Sequence, residues 1–399
     1  MFFPSRNKGL ERLKAFAPHS GREYARLRNY DLGQGRHAHV SGLSPYLRHR
    51  LISEEEVLRT VLSHHSRSSA EKFVHEVFWR SYWKGWLELR PKVWAQYRAG
   101  LARALNRTKT ESGVRRQWED ACRGETGIDC FDHWAKELRA TGYLHNHARM
   151  WFASIWIHTL NLPWELGADF FLRHLLDGDP ASNTLGWRWV GGLQTIGKTY
   201  LARPENIRQY TKNRFYPKGL AGTAQPLYSD GHPPRGQAPQ NIDWRPSGRV
   251  GVLVHDDDLN LKPLFKSGAC PVSFTRLLTC EQRSPLAISE DVIGFAKNAL
   301  EDTANRWAER IGEDGGLHTT LDPILSWAKN YELDQVVTSY GSTGPAKEVL
   351  DDLETRLLPL NISLVRVVNP YDSMTWPRAT HGFFRFKDNI PAFLDEMGI

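Results

Sequence analysis

Residues 216–247 read YPKGLAGTAQPLYSDGHPPRGQAPQNIDWRPS, a stretch dense in Gly, Pro, Gln and Ser. Such a composition does not sustain a helix or a strand. Proline removes a backbone donor, and glycine gives up the most conformational entropy on ordering. The stretch predicts a linker, and it splits the chain into two units with different apolar rhythms. Ahead of it, in residues 1–215, apolar side chains recur three and four apart. The segments are EEEVLRTVLSHH (54–65), EKFVHEVFWRSYWKGWLEL (71–89), FDHWAKELRATGYL (131–144), ARMWFASIWIHTLNL (148–162) and ADFFLRHLLDG (168–178). That is the period of a helix with one buried face. Ser53 ahead of Glu54–Glu56 adds a start signal, a capping residue followed by a negative first turn. Behind the linker, residues 248–399 alternate short apolar runs with helical patterns. The runs are RVGVLV (249–254), DQVVTSY (334–340) and ISLVRVV (362–368); the helical patterns lie at 289–311, 321–331 and 346–358. Short buried strands alternating with helices imply a parallel α/β sheet.

Composition narrows the function classes. The 399 residues suit two domains. A net charge of +7 favours nucleic acid, an anionic cofactor or a membrane surface, without choosing among them. Cys122, Cys130, Cys270 and Cys280 form no CxxC pair, so no metal site, iron–sulfur cluster or disulfide scaffold is expected. No run of about 18 apolar residues predicts a membrane span, and MFFPSRNKGLERLKAF lacks the apolar core of a signal peptide. The expectation is a cytoplasmic monomer. Fifteen tryptophans are many for this length. They fit either a Trp-rich core or a flat aromatic ligand with indoles near it.

The densest chemistry lies between residues 141 and 189. Asp177 and Asp179 flank Gly178 at the end of a helical pattern, Asn183 follows, then Trp187 and Trp189. Asn146 and Arg149 stand three apart, on one helical face. Carboxylates, an amide and a guanidinium suit a ring edge, a ribose hydroxyl or a phosphate. Taken singly, an Asp-Gly-Asp at a helix end is ordinarily a turn, and charges on a helix ordinarily a solvated face.

Taken together, HNHARM (145–150) and DGDPASNTLGWRW (177–189) closely resemble the FAD-binding domain of the DNA photolyase and cryptochrome family, in residues, order and spacing. SGLSPYLRHRLIS (41–53), FVHEVFWRSYWKGWL (73–87) and FPSRNKGLERLKAF (3–16) with YARLRN (24–29) extend the likeness over about residues 1–205. VGVLVHDDDLNLKPLF (250–265) and THGFFRFKDNIPAFL (380–394) look like the start and end of that family's α/β antenna domain. In the family that domain comes first, so this chain looks circularly permuted. The resemblance implies a helical FAD-binding catalytic domain at 1–215, a linker at 216–247 and a Rossmann-like parallel α/β antenna domain at 248–399.

It also implies roles. Tyr24 and the turn Val40, Ser41, Gly42, Leu43 and Ser44 would hold the FAD phosphates. Asp177 and Asp179 would contact the adenosine ribose and the flavin region, Arg149 would face the isoalloxazine ring, and Asn183 would sit near flavin N5. Arg80 and Asn146 complete the cofactor set. Glu76, Trp79, Asn146, Met150 and Trp189 would line the pocket for an extruded pyrimidine pair, with Arg28 and His147 facing DNA. Trp187 and Trp164 match the first two members of the family's electron relay. Residues 105–112, where the third would lie, hold no tryptophan, leaving Trp118, Trp134, Trp151 and Trp156 as alternatives. The family's usual segment after the tryptophans is replaced by GKTYLARPENIRQYTKNRF (197–215), whose Lys198, Arg203, Arg208, Lys212 and Arg214 would serve DNA phosphates alongside Arg28 and Arg80.

The implied activity is light-dependent repair of DNA carrying pyrimidine dimers by electron transfer from FAD, as a deoxyribodipyrimidine photolyase. Asn183, Asn146 and Met150 are the residues typical of cyclobutane-dimer repair. A cryptochrome-like photoreceptor without repair is the alternative, favoured by the domain order and the altered 190–215 segment. A second, antenna chromophore remains open in identity.

Overall fold

Ser53 accepts a hydrogen bond from Glu56 N while the Glu56 carboxylate accepts from Ser53 N, so the helix expected at 54 begins there. The computed structural model describes residues 2–240 and 244–399. Its first half is built from α1 (Arg6–Phe16), α2 (Arg22–Leu27), α3 (Ser44–Arg48), α4 (Glu54–His64) and α5 (Glu71–Glu88). Then come α6 (Lys92–Thr110), α7 (Ser112–Arg123), α8 (Asp129–Thr141) and α9 (Asn146–Ser154). α10 (Trp164–His174), α11 (Pro180–Val190) and α12 (Pro204–Tyr210) complete it. The helix expected over 148–162 is α9 closed by a π turn at Ile155–Thr159. The one expected over 168–178 starts four residues earlier and stops at His174, leaving Asp177 and Asp179 in the turn that follows.

Aromatic rings fill the centre of this half. Trp134, Trp151 and Trp156 are fully buried, and Phe131 stacks on Phe152 at 4.2 Å. Much of the tryptophan excess is therefore packing material.

The second half carries β1 (Val250–His255), β2 (Ser273–Leu277), β3 (Glu313–His318), β4 (Gln335–Ser339) and β5 (Ser363–Val367). They form one parallel sheet in the order β3-β2-β1-β4-β5. The helices are α13 (Glu290–Ile311), α14 (Asp322–Asn330), α15 (Pro345–Leu357), α16 (Pro370–Thr375), α17 (Phe383–Lys387) and α18 (Ile390–Glu396). Alternate residues of β1 face opposite ways. Leu253 joins Ile324, Trp327, Leu350 and Leu353 under α14 and α15, while Val252 and Val254 belong to the core shared with α13 and the helical half. Both faces are covered, as a parallel sheet requires.

Charge ties the halves together. The loop leaving β1 places Asp257 against Arg48 at 2.7 Å and Asp258 against Arg50 at 2.6 Å, and Arg50 also reaches Asp372 at 2.5 Å. α16 to α18 lie along α5 rather than on the sheet. Phe78 of α5 stacks with Tyr371 and Phe393, and a Cβ on Gly85 would stand 2.7 Å from Trp376 Cα. Arg6 pairs with Glu56 of α4, and one turn further on Arg59 donates to the carbonyls of Met397 and Gly398. Residues 6 and 397–398 thus meet on one helix.

The linker is laid across the helical half. Leu227 N donates to Gly191 O at 2.9 Å, and Gly236 N to Leu89 O at 2.8 Å. Residues 241–243 of it lie outside the described residues. Among the described residues no helix is long and apolar enough to cross a membrane.

Candidate functional site

Two helix starts frame the site. α11 begins at Asp179, whose Oδ1 accepts from Ser182 N at 2.8 Å, and Arg149 lies in the first turn of α9. Arg149 Nη2 donates to Asp177 Oδ2 at 2.8 Å, and its Nε donates to Leu144 O at 3.0 Å. Asp177 keeps its other oxygen, Oδ1, buried without a hydrogen-bond partner. Arg80 of α5 reaches Asp179 at 3.2 Å and Leu47 O at 3.0 Å, so one guanidinium joins α5, α11 and the end of α3. Burial opposes the charge on Asp179, but Lys84, Arg80 and Arg48 outweigh it and hold the carboxyl well below its ordinary range. Asn183 is buried and donates through Nδ2 to Ala168 O at 2.8 Å.

A second group gathers around α2 and the turn 40–44. Tyr24 is buried in edge contact with Phe16 and Phe73, and burial, helped by Glu76, pushes its hydroxyl far up. Arg28 lies over the Tyr24 ring and pairs with Glu76. In the turn 40–44, Gly42 adopts φ +60°, a left-handed conformation that favours glycine, and Leu43 N donates to Ser41 Oγ at 3.3 Å. Arg12 of α1 stands over this turn, so close that a Cβ on Gly42 would lie 2.7 Å from Arg12 Nη1. Sequence reasoning did not name Arg12. Its signal was helical position: Arg12 lies three after buried Gly9 and four before buried Phe16, on the inward face.

The expected DNA-side residues are less gathered. Asn146 is exposed and Met150 part-buried. His147 stacks on Trp151 at 4.2 Å and contacts Asn29 O through Nδ1 at 3.1 Å, which gives it a packing role. Trp189 stacks on Tyr200 at 5.4 Å, and Trp79 on Phe383 of α17 at 3.7 Å. Trp187 meets Phe171 at 5.2 Å and Trp156 at 6.0 Å, whereas Trp164 meets Tyr97 at 5.6 Å, so the two tryptophans expected to open a relay have separate ring neighbours. Trp134 stacks on Trp151, and Trp118 is part-buried. Lys198, Arg203, Arg208 and Lys212 are exposed, but Arg214 is held by Asp31 at 3.0 Å.

These side chains fit an FAD. The unpartnered Asp177 Oδ1 is a buried acceptor and Trp187 Nε1 a buried donor, and such atoms are costly unless a ligand or water meets them. Arg12 and the turn around Gly42 offer positive charge and backbone N–H groups for a diphosphate. A cavity of about 300 Å³ lies elsewhere, between α1, α4, the loop after β1 and α13, and none of its lining residues belongs to the expected set. A small void of about 10 Å³ adjoins Tyr24.

Residues 73–216 match the family described as the FAD binding domain of DNA photolyase. The deoxyribodipyrimidine photo-lyase of Streptomyces griseus is 34% identical over 199 residues, covering 46% of this chain and 41% of that protein. The enzyme of the same name from Vibrio cholerae is 26% identical over 218 residues, covering 52% of this chain and 43% of that protein. The chain thus spans less than half the length of these curated relatives. Among solved structures, a bacterial class III photolyase from Agrobacterium tumefaciens overlays with a TM-score of 0.44 at 25% identity, over 52% of this chain and 43% of that one. A Synechocystis cryptochrome gives 0.42 at 26% identity over the same shares. The Asp177–Trp189 stretch with its paired Arg149 and Arg80 lies inside the matched residues, so it is through this helical half that the chain is similar to the FAD binding domain of DNA photolyase.

Proposed function

We propose that the chain carries FAD in its helical half and reverses cyclobutane pyrimidine dimers in DNA under light, as a deoxyribodipyrimidine photolyase. The observation that carries this reading is the convergence of Arg149–Asp177 and Arg80–Asp179, from α5, α9 and the turn before α11, on one buried place. Bound FAD supplies light absorption and the electron that opens the dimer. The protein supplies position and field. Asp177 Oδ1 is free to accept from the cofactor, and its partner Arg149 keeps a positive charge beside it. Asn183, held through Nδ2, presents its Oδ1 in a fixed direction. Arg12 and the Val40–Ser44 turn serve the diphosphate. Glu76, steadied by Arg28, accepts from a pyrimidine edge, while Trp79 and Trp189 offer flat faces to extruded bases. Exposed Lys198, Arg203, Arg208 and Lys212 serve backbone phosphates.

The test is an absorption spectrum of the purified protein before and after blue light, followed by incubation with an ultraviolet-irradiated oligonucleotide. Flavin bands and light-dependent loss of dimers are expected. A flavin that responds to light while dimers persist supports the photoreceptor alternative, and a colourless protein rejects both.

We infer also that the α/β half corresponds to the family's antenna domain placed second. The meeting of residues 6 and 397–398 on α4 supports this, because a direct connection from the second half to the first would run there.

A further inference from the structure

The most intimate ring contact between the halves is Trp79 on Phe383: 3.7 Å between centroids, 11° between planes. Trp79 belongs to α5 and is part-buried; Phe383 opens α17, more than 300 residues later, and is 5% exposed. Phe383 is not a removable flap. It packs edge-on against Tyr82 at 5.6 Å, contacts Phe386 at 6.0 Å and lies near His75 at 6.2 Å. The segment before it is fastened along the same helix. Trp376 lies against Gly85, Thr380 O accepts from Arg90 at 2.9 Å, and His381 O accepts from Tyr82 at 2.7 Å. Glu76 and Arg80, the polar site residues of α5, flank Trp79 in sequence and face the candidate site through Arg28 and Asp179.

From this geometry we propose that Phe383 is a positioning residue. By stacking on one side of Trp79 it fixes the plane on which an extruded base is received, so the second half sets lesion discrimination without touching DNA there. The inference rests on the reading of Trp79 as a base-stacking residue. An indole on a helix surface samples several rotamers, and freezing it at the moment of binding costs entropy. A ring already held by a parallel partner has lost that freedom before the base arrives. The effect belongs to the extruded bases alone, because phosphate contacts do not depend on the Trp79 plane.

The experiment measures, in the dark, the affinity of the flavin-loaded full chain for two duplexes, one carrying a single thymine dimer and one undamaged. Phe383→Leu removes the ring face and keeps most of the buried volume; Phe383→Tyr keeps the face. For Phe383→Leu the preference for the dimer should fall about three- to tenfold. Flavin content, the salt dependence of binding and affinity for undamaged duplex should stay at parent values, and Phe383→Tyr should restore the preference. A purely structural role would lower melting temperature and flavin content and leave the preference of the folded protein unchanged. An unchanged preference in Phe383→Leu, with Trp79→Ala abolishing it, overturns the proposal and leaves the function reading intact. A tighter grip on the dimer in Phe383→Leu also overturns it, since Phe383 would then be competing for the stacking face. If Trp79→Ala itself leaves the preference unchanged, the assignment of Trp79 fails and the proposal with it. Phe383→Met replaces the leucine variant should that one fail to fold.

Discussion

Asp177 and Asp179 stand two positions apart and do different work. Asp179 spends both oxygens within the protein, one on the cap of α11 and one on Arg80, whereas Asp177 keeps Oδ1 unpartnered beside Arg149. Asp177→Asn therefore removes the charge that holds Arg149 at the site. It should leave the melting temperature within a few degrees and lower the bound flavin at least tenfold, read as the flavin-to-protein absorbance ratio. Asp179→Asn should act the other way, with a loss of roughly 3–5 kcal/mol in urea unfolding because Lys84, Arg80 and Arg48 each lose one of the carboxylates that balance them. Asp177, Asp179, Arg149 and Asn183 stand out in the sequence because they crowd into two short motifs, 145–150 and 177–189, and the pairing of Arg149 with Asp177 brings those motifs together. Arg12 and Lys84 do not. Arg12 stands over Gly42, thirty positions away, and Lys84 reaches Ser342, 258 positions away; helical spacing can mark Arg12 as inward-facing, but it does not say which distant residue either cation meets.

α5 is the element on which the molecule turns. One side carries Glu76 and Arg80 to the site, and the opposite side is covered by α16 to α18. Gly85 permits that cover, because any side chain would meet the backbone at Trp376. Gly85→Ala should cost about 1–3 kcal/mol in urea unfolding, the usual penalty for overpacking. Gly167 of α10 plays the same part beside Trp187, whose ring atom Cη2 would lie 2.2 Å from a new Cβ. Gly167→Ala should retain flavin and slow its photoreduction, measured as the rate of bleaching of the oxidised band under blue light with a reductant present. At this scale the sequence was uneven. β1, β4 and β5 announced themselves as apolar runs rich in β-branched residues, with β1 fully buried, β4 nearly so and β5 half-buried. β3 did not, because EDGGLH is a partly exposed edge strand with no β-branched residue, and β2 was hidden by the polar alternation of SFTRL. The role of α16 to α18 was also out of reach. They follow the last strand in sequence, yet their apolar faces are completed by α5, and periodicity does not say which partner completes a face.

For the whole molecule, the contact between halves sets a buried mesh of charge beside a shared apolar core. Burial opposes ionisation of Asp257, and Lys84 and Arg48 overcome it, holding the carboxyl well below its ordinary range. Asp257→Ala should cost on the order of 3–5 kcal/mol, seen as a lower urea midpoint. His49 sits in the same mesh, its Nδ1 against Asp256 O. Burial, with Arg48 and Arg283 nearby, draws its imidazole down to about 3. A histidine depressed in the folded state stabilises fully above its unfolded value of about 6.5 and loses that contribution as pH falls toward the folded value. Thermal stability should therefore drop by several degrees between pH 7 and pH 5, and His49→Asn should flatten that part of the profile. α4 receives residues 6 and 397–398 on neighbouring turns. The molecule is nearer to a ring than to a thread. Linking residue 399 to residue 2 and reopening the loop near residue 230 should yield a protein that melts within a few degrees of the 399-residue chain, with every packed surface preserved and only the order of translation reversed.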